Sequence, residues 1–201
     1  ELDLTKYLPS PPADDSAQTK AEIQELLSIQ AKSTDAEKKM AIDDSNGENV
    51  WRFADVMGPQ FVEDKLPKTS AFFARIVATE DVVNDLPKKA FHRPRPYMLN
   101  DAIHPLTKAT KSGSWPSGHS TLGYLMATEL SQMVPEKRDA LFARADLYAS
   151  NRLIAGFHYR SDTVVARTGA ALIALKSEET PDFKSEYDAA KAELRTQLGL
   201  N

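Results

Sequence analysis

Cysteine is absent from the 201-residue chain, which excludes disulfides, thiolate metal sites and a cysteine nucleophile together. That absence leaves the compartment open, because exported and cytosolic chains alike can lack cysteine. Long apolar runs are missing too. The longest candidates, around Gly169 to Leu175, are short and flanked by charge, far from the ~20 residues of a spanning helix. Neither sign of charge dominates: 25 Lys and Arg face 29 Asp and Glu, for a formal net charge of −4. Nothing global therefore recruits nucleic acid or an acidic membrane, and an anion must be drawn by a local cluster. Convincing alternating strands are missing, as are internal repeats.

What remains is a 41% hydrophobic, 27% charged chain, the composition of a soluble globular domain. Residues 1–15 are Pro-rich and are expected to lie as an extended arm on a domain formed by residues 16–201. Helical spacing starts after Ser16. Thr34 with Glu37 makes a capping box for a second helix. Asp43–Asn49 reads as a turn, either plainly exposed, the favoured reading, or approaching a substrate site, and Val50–Met57 as a short helix ended by Gly58-Pro59. Further helices are expected over Lys68–Leu86, Gly118–Met133 and Glu136–Ile154. Another is capped by Ser161 and runs to Leu175, and the last starts at Thr180-Pro181. The expected fold is all-α, with about seven or eight helices around a central helix bundle.

Three stretches carry chemistry. In "LPKKAFHRPRPYM", Lys88, Lys89, Arg93 and Arg95 concentrate positive charge in an acidic chain. Pro94 and Pro96 stiffen the backbone around Arg95, as recognition of a phosphate or carboxylate by a guanidinium requires. Taken alone, the stretch also reads as a solvated basic helix end. In "GSWPSGHS", Ser117 and Gly118 stand at a helix start, where unpartnered amides bind oxyanions. Gly118 permits close approach, and His119 follows in the first turn. In "NRLIAGFHYRSDT", Gly156 can end a helix and turn His158 back beside Arg152. Asp162, four residues on, can then accept from one imidazole nitrogen and fix the tautomer at the other.

Together the pieces supply cations, an oxyanion nest with an acid, and an oriented histidine. Lys88-x6-Arg95-Pro96, Pro116-Ser117-Gly118-His119 and Arg152-x5-His158-x3-Asp162 resemble the three-part motif of the type 2 phosphatidic acid phosphatase (PAP2) superfamily, which includes the vanadium haloperoxidases. The Gly113–Ser120 stretch looks like the version in bacterial class A non-specific acid phosphatases, and Leu8–Pro12 is similar to their arm. One departure is Asn151, where many members carry Ser.

The resemblance implies a periplasmic or secreted acid phosphatase that needs no cofactor or metal and is inhibited by phosphate or vanadate. It implies His158 as nucleophile, Asp162 as its orienting partner and His119 as acid and then base. Lys88, Arg95, Arg152, Ser117 and Gly118 would hold the phosphate of a small ester. It also implies a homo-oligomer, with no nucleic-acid partner and no membrane span. A vanadate-dependent haloperoxidase is the alternative, disfavoured by the chain's modest length. The physiological ester is left open, as are nucleotide phosphates and phosphotransfer to alcohols.

Overall fold

The computed structural model describes residues 2–200. Among these residues there are no strands, and the expected all-α class holds. Seven helices are long: α1 (Ala17–Lys32), α2 (Asp35–Ser45), α4 (Pro67–Phe91), α6 (Gly118–Met133), α7 (Arg138–Ile154), α8 (Arg160–Ser177) and α9 (Phe183–Gln197). The remaining two, α3 (Ala54–Met57) and α5 (Pro96–Leu99), are single turns.

Helix α6 is the centre. Of its 16 residues 13 are buried, as expected of a helix surrounded by others. It packs on α7, α8 and α4. Gly123 lets α7 approach: a Cβ there would fall 2.8 Å from the Tyr148 ring. Leu122, Leu125, Met126 and Leu130 join Phe72, Phe73 and Ile76 of α4 and Ile173 of α8 in the main core. Burial of each such side chain stabilises the fold by about 1.5–3 kcal/mol.

Several boundaries differ from the sequence expectation, each for a local reason. The arm carries a 3₁₀ turn at Leu4–Lys6, capped by the Asp3 side chain on the Thr5 N–H at 3.0 Å, and a second turn where the Ser16 N–H donates to the Ala13 carbonyl at 3.0 Å. Leu4 and Leu8 are buried with Trp115 and Val165, and the Trp115 indole N–H donates to the Pro9 carbonyl at 3.1 Å. Trp115 is thus a packing residue.

Helix α2 keeps its capping box but runs on to Ser45, three residues into the expected turn. Helix α4 runs five residues past Leu86, through Pro87, and ends with His92 in the left-handed region at φ 49°. Lys88 therefore lies within a helix. Helix α8 starts one turn-position before Ser161: Asp162 accepts from the Tyr159 N–H at 2.9 Å and caps the helix from its third position. Ser161 instead bonds Glu22 of α1. Helix α9 starts at Phe183, after Thr180 has turned back onto Ser177.

Buried acids make stability depend on pH, two of them on α4 and α6. Burial raises Glu129 of α6 to about 7, helped by Glu178, and burial raises Glu80 of α4 to about 8. The folded state keeps protons that the unfolded state loses between its ordinary carboxylate pKa and those values. Stability from these groups is full in acid and lost as pH rises towards 7 and 8. The fall in melting temperature from pH 5 to pH 8 is expected to be a few degrees larger in the wild type than in Glu129→Gln, which lacks one of these two acids. Calorimetric scans showing an equal or smaller fall in the wild type would contradict this.

Candidate active site

The site forms where the ends of α4, α6 and α7 meet the loop before α8. Gly156, at φ +78°, takes the conformation that glycine adopts without cost. The Phe157 N–H then bonds back to the Arg152 carbonyl at 3.1 Å, so the chain reverses and carries His158 inward. His158 is 2% exposed. Its Nδ1 lies 3.0 Å from the Ser114 carbonyl and 3.3 Å from Asp162 Oδ2. Its Nε2 lies 3.0 Å from Arg95 Nη1.

Those partners fix the tautomer. A guanidinium can only donate and a carbonyl can only accept. The His158 proton therefore sits on Nδ1, and the Nε2 lone pair accepts from Arg95 Nη1. Burial, and then Arg95 and Arg152, hold this imidazole well below its ordinary pKa. The cations act in the expected direction, but burial is the larger cause.

Asp162 is fully buried, held by Arg93 Nη1 at 2.6 Å on one oxygen and by the Tyr159 N–H on the other. Burial raises its pKa to about 7 against the opposing pull of Arg93. Arg93 is 2% exposed. It also bonds Glu22 at 3.1 Å and Ser161 at 2.8 Å, and stacks 3.9 Å from the Tyr159 ring centroid. The sequence counted Arg93 only as local charge. The signal available was its place between the α4 terminus and Pro94, inside a stiffened segment.

Arg95 bonds the Ser112 and Gly113 carbonyls at 3.0 and 3.2 Å and the Phe157 carbonyl at 3.1 Å. Burial lowers its pKa. Arg152 lies 4.9 Å from the Phe157 ring centroid, and burial pushes it down to about 10. Its buried Nε has no partner, and Nη1 bonds the Ser45 hydroxyl. At the α6 start, Ser117 Oγ caps the Ser120 N–H at 3.3 Å.

The Ser117 amide itself, expected to be free, donates to the Asp162 carbonyl at 3.2 Å. The packing of the loop onto the start of α8 takes that donor. Among the described residues the Gly118 and His119 amides keep no protein acceptor, so the anion nest lies one position later than expected.

Gly118 has a further use. A Cβ there would lie 2.8 Å from Lys88 Nζ and 3.3 Å from Glu80 Oε1. The missing side chain makes room for the lysine ammonium over the helix start. Burial lowers the pKa of Lys88 and Glu80 opposes that shift. Glu80 bonds Asn84; both lie on the stripe that buries Phe73, Ile76 and Pro87. Ionisable groups on an apolar stripe were the overlooked signal. Gly118→Ala is expected to displace the flexible lysine terminus and not the backbone. Phosphate affinity should fall about tenfold, one charge-assisted contact, with the melting temperature nearly unchanged; equal losses in both would point to a packing role.

His119 stacks on Tyr148, centroids 6.1 Å apart. Its Nδ1 meets Glu48 at 3.0 Å and its Nε2 the Ser45 carbonyl at 3.0 Å. Burial and Arg152 lower its pKa, and Glu48 and Ser45 oppose them. The Asp43–Asn49 stretch is thus no plain exposed turn. Asp44, fully buried, anchors it through Arg144 at 2.6 Å, Arg52 at 2.9 Å and the Asn151 amide at 2.7 Å, so Asn151 serves by donating to a carboxylate. Of the other two histidines, His92 and His104 are exposed.

The helical scaffold thus gathers the cations Lys88, Arg95 and Arg152, the N-terminus of α6 and the unprotonated Nε2 of His158 at one buried place. The family model described as the PAP2 superfamily matches residues 70–177, more than half of the chain, and the protein belongs to that superfamily. The chain is similar to a Salmonella typhimurium protein named "Non-specific acid phosphatase", 27% identical over 96% of this chain and 81% of the relative. A Providencia stuartii protein of the same name is 27% identical over 70% of this chain; the match spans 59% of that relative's length. A Zymomonas mobilis protein named "Acid phosphatase" is 26% identical over 65% of this chain and 51% of the relative.

Proposed function

We propose that the protein is an acid phosphatase that hydrolyses phosphate monoesters through a phosphohistidine at His158, without a metal ion. The observation that carries this reading is the Nε2 lone pair of a buried, neutral His158, held towards the Arg95 guanidinium with Arg152 and Lys88 close by. Similarity to proteins named acid phosphatases adds support.

In the first half-reaction Nε2 attacks phosphorus and the ester P–O bond breaks. Arg95 Nη1, which bonds Nε2 in the structure, transfers to a phosphate oxygen. Lys88, Arg152 and the Gly118 amide hold the others, and the Ser117 side chain lines the same nest. His119 protonates the departing alcohol oxygen. For this, one of its two contacts opens. The Glu48 side chain, 45% exposed, is the movable one, because Ser45 is tied to the Asp44 anchor. In the second half-reaction His119 takes a proton from water, the water oxygen attacks phosphorus, and the P–N bond breaks to release phosphate. Asp162 holds the His158 proton on Nδ1 throughout.

The protonation states set the pH range. His158 stays neutral deep into acid, whereas His119, also lowered, is protonated only in acid. Hydrolysis of p-nitrophenyl phosphate with EDTA present, from about pH 4 to about pH 9, is expected to peak below neutrality. A maximum well above neutrality, or loss of activity in EDTA, would overturn the reading. Inertness as a phosphatase, with halide oxidation by vanadate and peroxide, would replace it with the haloperoxidase.

A further inference from the structure

The chain of contacts behind the nucleophile does not end at Asp162. Arg93 is shared between two acids: its Nη1 donates to Asp162 Oδ1 at 2.6 Å and its Nη2 to Glu22 Oε2 at 3.1 Å. Asp162 Oδ2 in turn lies 3.3 Å from His158 Nδ1. Glu22, Arg93, Asp162 and His158 are all buried. They form one continuous line from α1 to the nucleophile.

Glu22 is fixed at its end of that line. Its Oε1 accepts from the Ser161 N–H at 2.7 Å, and its Oε2 accepts from the Ser161 hydroxyl at 2.9 Å as well as from Arg93. Ser161 stands in the first turn of α8, beside Asp162. Three donors and no acceptor suit a carboxylate. A cap for the α8 amide would need the first of these bonds only. The bond to Arg93 does something more, because a guanidinium shared by two carboxylates neutralises each less than one held by a single carboxylate. Glu22 accordingly joins burial in raising Asp162, against Arg93. The reaction draws on this. Attack by Nε2 leaves positive charge on the imidazole ring, whose Nδ1–H then bonds more strongly to a more basic acceptor.

Resting on the phosphatase reading, we propose that Glu22 is a positioning residue for the nucleophile, acting through Arg93. By taking a share of the guanidinium, it keeps Asp162 a strong acceptor for the His158 Nδ1 proton while Nε2 is phosphorylated. Glu22 bonds none of Lys88, Arg95 and Arg152, so its effect falls on kcat and not on the binding of the anion.

Glu22→Gln and Glu22→Asp separate this role from packing. Glutamine keeps the length and loses the charge; aspartate keeps the charge and loses reach. Glu22→Gln leaves Arg93 paired with Asp162, so no buried charge is stranded and the variant should fold. Its kcat for p-nitrophenyl phosphate should fall about tenfold, against less than about threefold for Glu22→Asp. The inhibition constant of inorganic phosphate should stay the same in both. The proton NMR resonance of the His158 Nδ1–H should move upfield in Glu22→Gln and hold its wild-type position in Glu22→Asp. Wild-type kcat in Glu22→Gln, or equal losses in the two variants, overturns the proposal and leaves the phosphatase reading standing. A wild type inert towards p-nitrophenyl phosphate overturns that reading as well.

Discussion

His158→Ala is expected to lower kcat for p-nitrophenyl phosphate by about 10⁴-fold or more, because it removes the proposed nucleophile. The variant should still bind phosphate. Lys88, Arg152, the Gly118 amide and an Arg95 relieved of its bond to Nε2 all remain. It should also fold: Asp162 keeps Arg93 and the Tyr159 amide, so no buried charge loses its principal partner. Competitive phosphate binding measured beside turnover separates the two effects. A variant retaining a tenth of wild-type activity would show that His158 is not the nucleophile.

Arg93→Met should act chiefly on stability. Arg93 is the cation shared by two buried carboxylates, Asp162 and Glu22, and its removal leaves both uncompensated. Breaking one side of a buried ion pair costs about 3–5 kcal/mol. For a chain of this size that lowers the melting temperature by about 10 °C. Arg93→Lys should recover only part of this, since one ammonium cannot reach Ser161, Asp162 and Glu22 while lying flat over Tyr159. Melting curves of the two variants decide it. A shift of under about 2 °C for Arg93→Met would mean that Asp162 takes up a proton instead, and the pair would not be ionic.

How much of this was readable in the chain depended on distance along it. The Thr34–Glu37 capping box, the Gly118–Met133 helix and the break at Gly156 are local, and local chemistry decides them. The same holds for His158 and Asp162, four residues apart with a turn between. The groups that support the site were not readable. Glu22 meets Ser161 across 139 positions of sequence and Arg93 meets Asp162 across 69, and nothing in the helical pattern of α1 announces such a partner.

Glu48 looked like part of an exposed turn because its neighbours are polar and small. Only the anchoring of Asp44 by Arg144 and Asn151, both on α7, swings that turn over His119. Ser117 was misjudged in the other direction: a helix start does have free amides, but packing against α8 supplies one of them with an acceptor. Buried Glu80 lay in plain view on an apolar stripe, yet its effect comes from Lys88 and Gly118, which tertiary folding brings to it.

The most direct test of the account is to trap the phosphoenzyme. In a His119→Ala variant the first half-reaction should still proceed with an activated aryl ester, whose leaving group needs no proton, while attack by water is slowed. Quenching this variant in base, where phosphohistidine survives, and mapping the added phosphoryl mass by peptide sequencing should place it on the segment containing His158, in near one-to-one amount. A phosphoryl group on any other residue, or none during active turnover, would contradict the phosphohistidine mechanism.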